Sequence, residues 1–173
     1  MFLRSGFACL FFLLIFPVAA MAHGPKAVPT DGELLARHQA AFSAYQNGQY
    51  AKALEEWQPV AEGGFSAAQL FIGFIYEIGQ GVEADQAAAA GWYRKAAERD
   101  NMIAQVRLAL MYRDGRGVAA DSVEAWVWAG MASRTEDHMH RIGQAMQREL
   151  AKAMTADQRA EAEKRLAAQM DKH

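Results

Sequence analysis

Displaced by 36 residues, the chain comes into register with itself. Ala68-Gln69 falls on Ala104-Gln105, Tyr76 on Tyr112, Gly79 on Gly115, and Gly81-Val82 on Gly117-Val118. Ala84-Asp85 falls on Ala120-Asp121, Ala89 on Ala125, Trp92 on Trp128 and Ala96 on Ala132, so that 11 of the 29 positions from 68 to 96 are identical. A repeat of this length is the mark of one supersecondary unit stacked on copies of itself. Such a unit cannot bury its apolar face alone, so the chain must form a stack in which each copy covers its neighbour.

The shared residues have helical spacing. Ala68, Gly73, Ala89 and Ala96 are small enough for helix backbones to approach closely, while Ile72, Tyr76 and Trp92 fill the space between, three and four residues apart on one face. Gly79 and Gly81 permit positive φ where a first helix ends and the chain reverses. Asp85 and Asp121 stand where a side-chain oxygen caps a second helix, and Glu124 is placed to close a capping box with Asp121. Thr30 with Glu33, Ser66 with Gln69 and Thr155 with Gln158 have the same spacing and mark further helix starts.

A degenerate copy precedes these two. Tyr45 and Gly48 match Tyr76 and Gly79 at a shift of 31, and Trp57 and Ala61 match Trp92 and Ala96 at a shift of 35, with Leu54 in place of Ala89. Its inter-helix loop is therefore four residues shorter. Pro59, near the end of its second helix, is expected to kink it. After the third copy, Met139, Ile142, Met146, Leu150 and Met154 form an apolar stripe at helical spacing, and Ala162, Leu166 and Met170 form another on a charged final helix. These two helices are expected to cap the stack, giving an all-α chain of about eight helices with no strand.

The N-terminus has a different character. Arg4 is followed by an apolar run from Phe7 to Val18 and then by Ala20-Met21-Ala22, the order of a secretory signal with small residues before the cut. Cleavage after Ala22 would leave His23 first. The apolar run is too short to span a bilayer comfortably, although an uncleaved N-terminal anchor is the other reading. The only cysteine, Cys9, lies within the signal, so the mature chain would hold neither a disulfide nor a thiol nucleophile. Losing Arg4 leaves 17 basic residues against 20 acidic ones, a formal charge of −3. That balance leaves no basic footprint for nucleic acid. The expected organisation is a signal at 1–22, a flexible leader at 23–31, repeats at about 32–64, 66–100 and 102–134, and C-terminal capping helices at 135–173.

The pattern Ala-x-x-x-Leu-Gly-x-x-Tyr-x-x-Gly-x-Gly-Val-x-x-Asp-x-x-x-Ala-x-x-Trp-x-x-x-Ala resembles Sel-one-like repeats, relatives of tetratricopeptide repeats. Residues 68 to 96 follow it with Ile72 at the leucine position, and residues 104 to 132 follow it with Ala109 in place of the glycine. The three copies cover residues 32 to about 134. The closing Met154-Thr155-Ala156-Asp157-Gln158 is similar to the ends of bacterial members. The resemblance implies a right-handed α-solenoid of helix-hairpin repeats that serves as an adaptor for other proteins, and no particular reaction.

Catalytic chemistry finds no footing. Ser43, Ser66, Ser122 and Ser133 are the mature serines, and none stands in a Gly-x-Ser-x-Gly elbow. The Gly79-Gln80-Gly81 and Gly115-Arg116-Gly117 loops lack the pattern of a phosphate cradle. His138 and His140, two apart on a helix, diverge and cannot share a metal. His38 reads as a solvated helix residue, and His173 belongs to the terminus. His23 would offer an amine and an imidazole to copper, but no further ligand stands nearby in sequence. Glu55-Glu56 and Glu136-Asp137 are adjacent, so neither pair makes an acid/base couple. No catalytic residue, cofactor or metal site is expected.

In tetratricopeptide-type hairpins the first helices line the concave surface. Carried over through Tyr76 and Tyr112, that geometry places Ala67, Leu70, Phe74 and Glu77 inward from the second repeat. Ile103, Val106, Leu110 and Arg113 follow from the third, and Ala36, Gln39, Ser43 and Gln46 from the first. Of these, Leu70, Phe74, Glu77, Val106, Leu110 and Arg113 are the candidate protein-binding surface. Its apolar middle either receives a protein or peptide partner or is covered by the chain's own C-terminal helices. The expected function is a periplasmic adaptor without catalysis. A component acting on cell-wall material and a self-associating scaffold are the competing readings, the first weakened by the roughly 40 residues left after the repeats for a catalytic domain.

Overall fold

The computed structural model describes residues 30–134 and 138–172. The expected signal and leader as far as Pro29, the Glu136-Asp137 pair and His173 lie outside the described residues, as do the side chains of His138 and Met139. Eight helices are found among those described: α1 (Asp31–Gln46), α2 (Tyr50–Glu62), α3 (Ser66–Ile78), α4 (Gln86–Ala97), α5 (Met102–Asp114), α6 (Ser122–Met131), α7 (His138–Ala153) and α8 (Ala156–Met170). Each helix from α1 to α6 packs on the next, and α7 and α8 both lie on α6, with α7 also reaching α5. This is an α-solenoid of helix hairpins: α1/α2, α3/α4 and α5/α6.

Most boundaries are made by the residues that the repeat shares. Asp85 accepts from the Ala88 N–H at 2.9 Å, and Asp121 accepts from those of Val123 and Glu124. Thr30 and Thr155 close reciprocal boxes with Glu33 and Gln158. Gly79 and Gly115 take φ of +79° and +66° at the ends of α3 and α5, and the N–H groups after them reach back to the Ile75 and Met111 carbonyls. Gly117 has a second reason to be glycine. A Cβ there would come within 2.0 Å of the Gln86 carbonyl oxygen, because the loop lies against the start of α4.

Two local expectations are corrected. Ser66 is inside α3, whose cap position is taken by the extended Phe65, and no side chain caps it. Glu124 does not close a capping box. Its carboxylate accepts from the Trp128 indole N–H and from the Arg165 guanidinium instead, the latter a charged donor that outcompetes a neutral backbone N–H. Asn101, not singled out in the sequence, caps α5 through the Ala104 N–H. Helix α2 runs on through Pro59 to Glu62.

The shared Ala-Gln pair has a clear role. Buried Gln69 donates from Nε2 to the Ala61 carbonyl at 2.8 Å, and buried Gln105 does the same to Ala97 at 3.1 Å. Each of these carbonyls, in the last turn of the preceding hairpin, also accepts from a main-chain N–H (Gly64 and Asp100), so the glutamine adds a second bond that ties the two hairpins together. Around these ties the core falls into successive layers. Trp57, Ile72 and Ile75 pack between the first two hairpins, and Leu70, Tyr93, Leu108 and Met111 between the second and third. Val123 and Val127 of α6 pack with Leu150 of α7, Ala162 of α8 and Met154 between those two helices.

Candidate functional site

The expected surface residues separate into two groups. Leu70 is 5% exposed and belongs to the core with Ala89 and Leu108. Glu77 is likewise drawn in: its carboxylate accepts from the Tyr93 hydroxyl at 2.6 Å and from Arg116 Nη1 at 2.9 Å. Both leave the surface because α4 packs against that side of α3, bringing the buried Tyr93 beside them. Burial pushes the Glu77 carboxyl up, but the hydrogen bonds from Tyr93 and Arg116 and the charges of Arg107 and Arg116 outweigh it and hold the group below the ordinary value. The same contact, together with burial, drives the Tyr93 phenol far up. Glu77 therefore ties α3 to α4 and to the loop after α5.

Phe74, Val106 and Leu110 remain half-buried, and Arg113 is exposed beside Asp114, which it meets at 2.7 Å. The helices that pack on α3 are α2 and α4, whereas α7 lies at the end of α5. There a hollow is lined by Arg113, Ala145, Met146, Glu149 and Leu150.

What joins the first helices is an aromatic strip that the sequence reading only partly placed. The Phe42 ring of α1 meets Phe71 of α3 edge-on at 5.5 Å. Phe71 lies flat on Trp57 at 4.7 Å and tilts toward Phe74 at 6.3 Å. The Arg107 guanidinium of α5 sits 4.8 Å over the Phe74 ring. Gln39, Ser43 and Gln46, expected to face inward, line a shallow hollow of about 340 Å³ with His38, Phe42 and Phe71. Phe42 and Phe71 were missed, although the signal existed. A helical period of 3.6 places Phe71 as well as Leu70 within reach of the face carrying Ala67 and Phe74.

His38 is also corrected. It is half-buried, its Nδ1 accepts from the Trp57 indole N–H at 3.0 Å, and its ring meets Phe65 edge-on at 4.9 Å. Burial lowers its pKa. Among the described residues, no three of His, Cys, Asp and Glu are grouped so as to hold a metal ion. Likewise, no described helix is long and apolar enough to cross a membrane.

Comparison with known proteins agrees with this architecture. The Sel1 repeat family model matches residues 66–101 and 103–134. No curated protein matches the chain. Among solved structures, a protective antigen present in uropathogenic Escherichia coli strains and displaying an SLR fold is 30% identical, with a TM-score of 0.72 over 81% of this chain. A Sel1 repeat protein from Oxalobacter formigenes is 33% identical, with a TM-score of 0.53 over 56% of this chain. The chain spans 30% of the first and 40% of the second. The fold they share is an array of helix-hairpin repeats. On the two repeat matches and the hairpin architecture together, the chain belongs to the Sel1-repeat family.

Proposed function

We propose that the chain is exported to the periplasm and acts there as an adaptor, binding another protein or peptide along α1, α3 and α5 with no catalysis of its own. The observation that carries this reading is the strip Phe42–Phe71–Phe74, part-exposed yet held in fixed contact from below. Trp57 supports Phe71 by stacking, and the buried Tyr93 supports Phe74 edge-on at 5.7 Å. Rings fixed in place lose little side-chain entropy when a partner covers them. Taking a fully exposed Phe out of water contributes roughly 1.5–3 kcal/mol. These three rings are already more than half buried, so together they offer about one such side chain and position a segment rather than supply all of its affinity. The export reading rests on the charged, apolar and small-residue order of the first 22 residues.

Two measurements test it. Fractionation with N-terminal sequencing should find the chain in the periplasm beginning at His23; a cytoplasmic chain that keeps residues 1–22 would refute export. Pull-down from that fraction should lose its partners with Phe74→Glu, and with Phe42→Glu on the more exposed α1, while thermal unfolding shows that both variants fold. Recovery of the same partners by folded variants would show that binding lies elsewhere.

A further inference from the structure

The surface along the first helices is not symmetrical in charge. At the α1 side it offers neutral amides and a hydroxyl, from Gln39, Ser43 and Gln46. At the α5 side it offers three guanidinium groups, Arg107, Arg113 and Arg116, whose side chains are 40%, 48% and 39% exposed. Three carboxylates accompany them. Glu149, in the hollow beside Arg113, is exposed and paired with Lys152 at 2.8 Å, and the other two, Asp114 and Glu77, differ in exposure. Asp114 is 35% exposed, but Glu77 is only 9% exposed and already accepts from Tyr93 and Arg116. The charge presented to solvent at this edge is therefore positive.

Arg107 stands out among the three. Its nearest carboxylate oxygen, on Glu77, is 3.6 Å away, beyond hydrogen-bond reach. Its guanidinium carbon lies over the Phe74 ring, 4.8 Å from the centroid, and with 40% of the side chain exposed, part of the group stays open to solvent beside its ion pair with Glu77. A planar fork held at the end of an aromatic strip is suited to take a carboxylate through two parallel N–H bonds. The strip beside it is suited to take an apolar side chain.

Building on the adaptor reading above, we infer that the partner is an acidic-apolar peptide segment. It lays an aromatic or aliphatic side chain on Phe42, Phe71 and Phe74 and gives a neighbouring carboxylate to Arg107. Arg113 and Arg116 add long-range attraction that salt screens, whereas the Arg107 contact is local and sets the order of apolar and acidic groups along the segment.

The test selects a random peptide pool displayed on phage against the purified protein. The retained sequences are then synthesised as free peptides and titrated by fluorescence anisotropy, each against a version with amides in place of its carboxylates. Retained peptides should carry Asp or Glu within a few residues of an apolar side chain, and the acid should bind more tightly than the amide by about tenfold. Arg107→Gln should abolish that ratio while keeping apolar binding, and Arg107→Lys should restore part of it. The ratio is read within each variant, so a small change in folded fraction does not move it. Apolar peptides retained with no acid preference, or a preference unchanged in Arg107→Gln, would overturn this inference and leave the adaptor reading standing. If no peptide is retained, or if Phe42→Ser and Phe74→Ser retain the same peptides, both fall.

Discussion

Gly73 and Tyr93 share one space. A Cβ on Gly73 would lie 2.5 Å from the Tyr93 ring, and the ring cannot retreat, being fully buried with its hydroxyl bonded to Glu77. In the next repeat the corresponding residues are Ala109 and Ala129, so the methyl group appears where the ring is gone. Gly73→Ala should therefore destabilise by about 1–3 kcal/mol in the native background. On Tyr93→Ala the same change should cost less than about 0.5 kcal/mol. Urea unfolding of the four proteins checks this, and equal costs in both backgrounds would show that the ring is not the cause. In the sequence, Ala109 is a departure from the family glycine; its reason lies on another helix, which one copy alone does not reveal.

His38 gives a pH dependence at the same scale. Its folded pKa lies below the ordinary imidazole value of 6.5 because burial disfavours the imidazolium, and protonating Nδ1 would also remove the acceptor for Trp57. The unfolded chain thus binds this proton more readily. The stability from neutral His38 is fully present above its unfolded pKa and is lost as pH falls through the lower, folded one. The thermal midpoint should drop more steeply toward acid in the wild type than in His38→Gln, which keeps an acceptor and does not titrate. Parallel profiles would exclude His38 as the source. Its sequence context of charged and polar neighbours suggested a solvated residue, because the burial comes from Phe65 and Trp57 on other segments.

Among the helices, α6 is the most enclosed, with α5, α7 and α8 all packed on it. Leu150 of α7, Met154 just after it and Ala162 of α8 bury the α6 valines, and Gly143 lets α7 close on the Ala129 carbonyl, 2.4 Å from where a Cβ would stand. Leu150→Asp should therefore cost about 3 kcal/mol or more, through an unpaired carboxylate in an apolar layer. Arg148→Asp, on the exposed side, should stay within about 0.5 kcal/mol. Chemical denaturation midpoints would show both, and equal shifts would contradict this packing. The stripe from Ile142 to Met154 was legible because its period matches a helix. Its target was not, since an apolar stripe does not say which neighbour it meets.

For the whole molecule, the hairpin stack was legible because its caps, turn glycines and close-packing alanines recur at one spacing. The surface was legible only as a set of faces. A 3.6-residue period leaves Leu70 and Phe71 competing for the same outlook, and the packing of α4 decided between them by taking Leu70 inward. Glu77 was lost to the fold for a related reason: Tyr93 and Arg116, its partners, stand 16 and 39 residues away. The ties of Gln69 and Gln105 have a further consequence. Each reaches back to a main-chain carbonyl, a group that every residue owns, so a copy carries its own fastening and asks almost nothing of the one before it. A degenerate first repeat can serve as the anchor for a regular second. By the same logic, a chain of this kind can gain or lose a 36-residue copy by duplication or deletion without its joints having to be reinvented.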